Sequence, residues 1–535
     1  VVVTASLTAG AAMLGTNSHL MTQYKERQGR LQAVADAGLE EGRARLNGDT
    51  ALYPDSNFVT IENGVPVVNA GGDTVPGIVR FTYAGPIGLT TGQYGVYGSV
   101  VAVAQASNGD RVIRREEIVQ ESFARFAYFT DDEGTISFGG GDQIFGPVHS
   151  NDDINILSSG ATFNGPLTTA GTISGRVHGT YNSGYQENAV RIPMPQTADL
   201  NRLRSYASQG GTAPVGNTAG APDQASLVIE FTTVDLNGDG DATDDDEGFM
   251  RVYRATDLSY AMADLPAGGI TASRNCGHFH TPTDFVAAAS HPSGGHSAAT
   301  SLTSGGRCYP GGHPILFNGT FNPTTPGGGG SYEPWSGTVD ARVTSAVGST
   351  EAAYLWPLSR NINPNFKGVV FVDGKVAIFG VLRGRVTLAT TDNIVVLDDL
   401  TYSVNPGLQT CTDILGMFSG TDIVVADNLM NTPYNYNSSW RRFDDTRDEF
   451  LHGVLLALSN FRVENHGSGP TSAEPCGSTN WGRGCLFLTG GVIQQSRGPV
   501  GTSSGTGYLK RYSYDQCAFS DPPPYFPTTG RFIKQ

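Results

Sequence analysis

GVVFVDGKVAIFGVLRGRVTLATTDNIVVL, residues 368–397, decides the fold of most of this chain. Four short apolar runs of Val, Ile, Leu and Phe succeed one another, each followed by Gly, Asp or Asn. β-Branched and aromatic runs of this length, cut by turn formers, read as strands and not as helix. Strands that follow one another so closely can stack in register as coils and bury one continuous core. The expected architecture is a β-helix or solenoid-like head of irregular coils, with a large β-sandwich as the alternative.

Outward from this stretch, the sequence repeats itself loosely. IVVLDDL (394–400) returns 29 residues later as IVVADNL (423–429), and IFGPVHSN (144–151) resembles FNGPLTTA (163–170). Long variable insertions, such as 265–345, read as loops projecting from the coils. Earlier in the chain, QYGVYGSVVAVAQAS (93–107) and DRVIRREEIVQESF (110–123) flank Asn108-Gly109, a strong hairpin signal. The predicted organisation is a helix over 1–50, a small β-sheet over 51–125, the coiled head over 126–465 and a disulfide-bearing segment over 466–535.

Composition agrees with a mainly β chain. Gly is 70 of 535 residues, about twice the usual share, and charged residues are 16%. The formal net charge of −16 argues against nucleic acid as a partner, since phosphate binding needs clustered Lys and Arg.

The first 50 residues differ. VVVTASLTAGAAML (1–14) is apolar and uncharged. Fourteen helical residues span about 21 Å, short of the roughly 30 Å hydrocarbon core. With no basic region ahead of it this is not an intact signal peptide, and residues ahead of Val1 are expected to have been removed. TQYKERQGRLQAVADAGLEEGRARL (22–46) follows, and Leu20, Tyr24, Leu31, Val34, Gly38 and Leu39 recur near helical spacing, with charges on the other faces. One helix that begins apolar and ends amphipathic is expected.

The apolar start followed by QAVADAGLEEGRARL resembles the stem of type IV pilin-like proteins, above all PilX-like minor pilins. The resemblance covers about the first 46 residues. The start departs from the family pattern: no Phe leads it, and Ala5 stands where a Glu is usual. AYFTDDEGTISFGGGDQIFGPVHSND (127–152) and GGVIQQSRGPVGTSSGTGYLKRYSYD (490–515) are similar to the extracytoplasmic domain of long PilX-like proteins. The resemblance implies a stem held in the inner membrane before assembly, then bundled with identical stems in a surface filament. Its partners would be copies of itself and the pilus assembly machinery. The assembly residues would be Val1, Val2, Val3, Leu7, Leu14, Leu20, Tyr24 and Leu31, with unwinding expected over 10–18. A minor pilin or tip adhesin binding a surface or glycan is the second reading. A secreted β-helix carbohydrate-active enzyme is the third, and the apolar stem counts against it.

VDLNGDGDATDDDEG (234–248) is the sharpest chemical motif. Asp235, Asn237 and Asp239 stand at positions 1, 3 and 5 of a calcium-loop template, Gly240 at 6 and Asp246 at 12. Asp241 would supply a carbonyl, Thr243 a direct or water-mediated ligand, and Glu247 could replace Asp246. Strand-like flanks make this a calcium loop on a β-hairpin, with a structural Ca2+ as the expected cofactor; an acidic solvated turn is the plainer alternative. Seven acidic side chains within 235–247 repel one another unless a cation neutralises them.

The six cysteines form no CxxC. Cys276 and Cys308 bracket a Gly- and His-rich stretch and are expected to pair, with a zinc or copper site on Cys276, His278 and His280 as the alternative. Cys476 and Cys485 lie nine apart, so a local bridge is plausible, which leaves Cys411 and Cys517 by elimination. No HExxH and no P-loop is present, and Asp398, Asp399 and Asp427 sit in the repeated IVV-x-D turn, so a structural role is expected for them and no enzymatic one.

Overall fold

The structure, a computed structural model, describes residues 2–49, 52–53, 56–69, 71–87, 92–220, 225–255, 263–264, 278–281, 284–286, 307–308, 316–317, 320–321, 323, 330–426, 434–436, 439–441, 449–464, 466–467 and 474–535. The chain divides into two compact units. One is built from residues 1–121 together with 528–535, the other from 122–527.

The first unit carries a long helix, α1 (Val2–Gly48), and four strands: β1 (Val59–Val68), β2 (Thr74–Pro86), β3 (Tyr97–Ala106) and β4 (Arg111–Ser122). They form an antiparallel meander. The turn between β3 and β4 falls at Asn108-Gly109, where Gly109 takes φ +92° and its N–H donates to Ala106 O at 2.9 Å. The last strand of the chain, Thr528–Lys534, lies beside β4 as the fifth member of this sheet. It runs antiparallel: Thr529 faces Glu121, whereas Gln535 N donates to Glu117 O at 3.1 Å.

The second half of α1 packs on this sheet. Leu31, Val34, Ala35, Leu39 and Leu46 recur at helical spacing and are buried against Ala84, Val100, Ala102, Ala104 and Ile118. Gly38 and Gly42 lie on the same face and let helix and sheet approach closely. A Cβ on Gly42 would stand 2.6 Å from Val100 Cγ1 and 2.8 Å from Thr82 Cγ2; one on Gly38 would stand 2.8 Å from Ala102 Cβ. Gly42→Leu is therefore expected to cost about 3 kcal/mol by overpacking. The check is hydrogen exchange of the α1 amides over 31–46; unchanged protection would contradict this packing. Glu62 is buried beneath the helix and accepts from Arg80 Nε and Nη2, both at 2.7 Å, and from Thr82 Oγ1 at 2.6 Å. Burial pushes this carboxyl up, but Arg80 and Thr82 more than offset it and hold it below the ordinary value.

The second unit is wound from parallel ladders. The stretch 368–397 folds as four strands, Val369–Val372, Val376–Leu382, Arg385–Thr390 and Ile394–Tyr402. The first pairs in parallel with the third and the second with the fourth, so that Val369 lies on Thr387 and Val376 on Ile394. The sequence echoes stack in register. Ile394, Val395 and Val396 lie on Ile423, Val424 and Val425, while Val148–Ser150 lies on Leu167–Thr169 and Ile144 on Phe163. Alternation sorts the side chains. Val370, Val372, Val386 and Leu388 point into the main core. Val369, Phe371 and Ala389 meet Leu200, Leu203 and Ala207 of the helix Ala198–Gly210. The ladders of 368–457 are parallel, unlike the antiparallel sheets of a β-sandwich.

The order along the stack is not chain order. Tyr128–Asp132 occupies the middle, with Val148–Ser150 on one side and Cys485–Ser496 on the other. The first coils build outward from there to Tyr185–Gln186. The chain then crosses to Leu227–Thr233, which lies in parallel on Val376–Leu382, and winds back through Glu449–Ala457 to Cys485–Ser496. The two ends of the unit come out side by side, with Phe123 N donating to Pro527 O at 3.1 Å. Residues 466–535 thus form no unit of their own. Cys485–Ser496 and Leu509–Ser513 are rungs of the head, and Thr528–Lys534 is an edge of the first sheet.

At the join between the two runs lies a buried ion pair. Arg497 Nη1 donates to Glu133 Oε2 at 2.9 Å, and its guanidinium stands 3.8 Å from the centre of the Phe138 ring. Burial pushes the Glu133 carboxyl above its ordinary value, against the pull of Arg497.

Candidate assembly helix and cation loop

Every residue from 3 to 27 of α1 is exposed. Val3, Leu7, Met13 and Leu14 keep 72%, 69%, 73% and 72% of their surface in solvent, and Leu20 and Tyr24 about half. The helix is continuous from Val2 to Gly48, including the 10–18 segment. Thr8 and Thr16 return their hydroxyls to the carbonyls of Thr4 and Ala12, a local satisfaction that needs no tertiary partner. Leu31, grouped by its spacing with the assembly residues, is fully buried in the body of its own unit. The change from exposed to buried at this residue divides the helix into a docked part and a bare part. Val1 and the side chain of Val2 lie outside the described residues. Among the described residues no helix is long and apolar enough to cross a membrane.

The acidic loop sits between the antiparallel strands Leu227–Thr233 and Gly248–Ala255. The Asp235 carboxylate accepts from Gly238 N at 2.6 Å and Gly240 N at 3.0 Å, curling the chain around it. Gly238 and Gly240 take φ of +76° and +97°, as the curl requires. Asn237 Oδ1 accepts from Asp239 N, and Asp241 Oδ1 from Thr243 N and Oγ1. Two members of the expected ligand set are occupied elsewhere. Asp246 is paired with Arg342 at 2.6 Å. Glu247 is buried, its two oxygens accepting from Leu236 N at 2.7 Å and Asp244 N at 2.9 Å. Among the described residues, no three His, Cys, Asp or Glu side chains converge as a metal cluster.

Among the described residues two disulfides are formed, Cys411–Cys517 across 106 residues and Cys476–Cys485 across nine. Cys276, His291, His296, His313 and Asp427 lie outside the described residues, as do the side chains of Cys308, His278, His280 and Asp398. Asp399 Oδ1 accepts from Phe450 N at 2.7 Å and so holds neighbouring coils. His149 is buried with both ring nitrogens engaged, by Thr168 Oγ1 at 2.8 Å and Asn151 Oδ1 at 3.0 Å, and burial pushes its pKa down. Residues 501–505, GTSSG, fit G-x-S-x-G by letters. The loop runs into the parallel strand Leu509–Ser513, not into the helix that a nucleophile elbow needs.

No family model and no curated protein matches the chain. Among solved structures, the competence-associated pilin ComZ from Thermus thermophilus is similar at 12% identity over 93% of each chain, with a TM-score of 0.25. A superposition that loose leaves the functional argument to the residues themselves.

Proposed function

We propose that the chain is a structural subunit of a type IV pilus-like surface filament, polymerising through the bare part of α1 and displaying its larger unit as a β-solenoid-like head. The observation that carries this reading is the solvent-exposed apolar run of α1. Residues 3–27 are all exposed, and Val3, Leu7, Met13 and Leu14 would each gain about 1.5–3 kcal/mol from being covered. Copies of the same helix offer an equally apolar cover, and the small residues Ala5, Ala9, Gly10 and Ala12 permit close approach. Before assembly the same run is held at the inner membrane, and the assembly machinery delivers it to the fibre. The test is electron microscopy of purified full-length protein on withdrawal of detergent. Fibres with heads repeating along their length are expected. A monodisperse monomer without detergent would end the reading, and single heads capping another fibre would favour the tip-adhesin alternative.

In this reading the acidic hairpin is a structural calcium loop. Asp235, Asn237, Asp239, the Asp241 carbonyl and Thr243 are its ligands, with Asp246 and Glu247 shaping the loop from outside. At a calcium level of 100 times Kd, binding would stabilise the loop by about 2.7 kcal/mol. Chelation is expected to open 235–247 to protease, with protection restored by calcium and not by magnesium. Asp239→Ala should abolish the protection. Equal cleavage with and without calcium would remove the metal from this account.

A further inference from the structure

The head carries a cleft that neither assembly nor the calcium loop uses. It is half open to solvent and offers about 70 Å³ between the turn at Gly140, the indole of Trp481 and the Thr502–Ser503 loop, with Asp142 and Lys510 also lining it. The parts are held firmly. Trp481 lies within the Cys476–Cys485 disulfide loop and packs toward Cys476, Cys485 and Leu509. The neighbouring Gly482 and Arg483 N–H groups donate to the carbonyls of Gly505 and Gly507, which fixes the disulfide loop to the hydroxyl-bearing loop. Lys510 Nζ stands 3.3 Å from Asp142 Oδ2, the pair sitting on adjacent parallel strands. The indole Nε1–H is buried and finds no acceptor among the described residues, and a buried donor without a partner is costly.

We propose that this cleft is a saccharide subsite that takes one neutral hexopyranose ring at the end of a glycan, its C–H face on Trp481 and its hydroxyls on Asp142, Lys510 and the Thr502–Ser503 loop. The chemistry selects this class. The electron-rich face of an indole attracts polarised C–H groups. The ion pair carries no net charge, so it favours neither a phosphate nor a cation. It offers an acceptor and a donor side by side, which vicinal hydroxyls can bridge. Thr502, Ser503 and the glycine backbone add further polar partners without charge. A half-open cleft of about 70 Å³ holds less than a whole ring, so it grips one face of the sugar and leaves the rest in solvent; each site binds weakly, and strength would come from many heads presented together. The inference stands on the head alone and does not require the fibre reading.

The experiment uses full-length protein in a detergent without a sugar headgroup. The probes are the methyl glycosides of glucose, galactose, mannose and N-acetylglucosamine, up to about 50 mM, read by saturation-transfer NMR. Saturable binding of at least one glycoside is expected. Trp481→Ala should weaken it by about tenfold or more, with Trp481→Phe keeping it within about threefold. Ser503→Tyr, an exposed substitution that fills the cleft without touching the disulfide loop, should abolish binding and leave the melting temperature unchanged. The proposal is overturned if no glycoside saturates, if binding survives both Trp481→Ala and Ser503→Tyr, or if only inorganic phosphate binds.

Discussion

Replacing Leu7 and Leu14 together with aspartate is expected to abolish fibre formation and leave the rest of the molecule intact. Both residues are about 70% exposed in the single chain, so neither substitution removes a packing contact within it. In a bundle of stems the same two positions would be dry. An ionised carboxylate there, without a partner, carries a penalty of several kcal/mol at each site, and the penalty recurs in every subunit. The body should not notice, because the buried run of α1 starts only at Leu31. The measurement pairs electron microscopy with a thermal melt. Loss of fibres at an unchanged melting temperature is the expected result, and fibres that persist would mean that the bare helix is not the polymerising element.

The second large effect concerns the head. Excising residues 123–526 and joining Ser122 to Pro527 through an Asn-Gly turn is expected to leave a folded small protein that still assembles. The geometry supports the cut. β4 and Thr528–Lys534 are antiparallel neighbours in one sheet, and the chain leaves and re-enters at adjacent points, with the Ser122 hydroxyl 3.5 Å from Pro527 O. A tight turn is the natural link between such strands. The core of the first unit, from Leu31 through Val100 to Phe532, comes entirely from segments that remain. The check is a cooperative melt and protected amides in β3 and β4. An unfolded product would mean that the first unit depends on the head.

Much of this architecture was legible in the sequence. Asn108-Gly109 announced its hairpin because two strands separated by so short a link have few other choices. The four strands of 368–397, and the 29-residue echo stacked residue on residue, were legible because each coil repeats its apolar alternation locally. What escaped is what no local pattern encodes. TTGRFIK at the end of the chain reads as one more short strand, and nothing in its letters says that its partner lies some four hundred residues earlier. The placing of Tyr128–Asp132 in the middle of the stack is hidden for the same reason: its partner in Cys485–Ser496 is remote. Leu31 looked like a continuation of the bare stripe, since spacing alone cannot distinguish a face covered by its own sheet from one covered by a neighbour. In the acidic loop, the spacing pointed to Asp246 as a ligand, but Arg342, distant in sequence, holds that carboxylate. Trp481 went unremarked because an isolated aromatic gives no signal until two distant loops close around it.

The side-by-side exit of the head also has a mechanical meaning. Tension applied to the head enters the first unit through two neighbouring strands at once. Drawn lengthwise, β4 cannot be peeled from β3 one rung at a time. The register from Tyr97–Val119 to Gln105–Arg111 must shear as a block, the nine paired positions yielding together. A surface-held fibre built this way would resist drag on its heads far better than the modest stability of a five-stranded sheet implies.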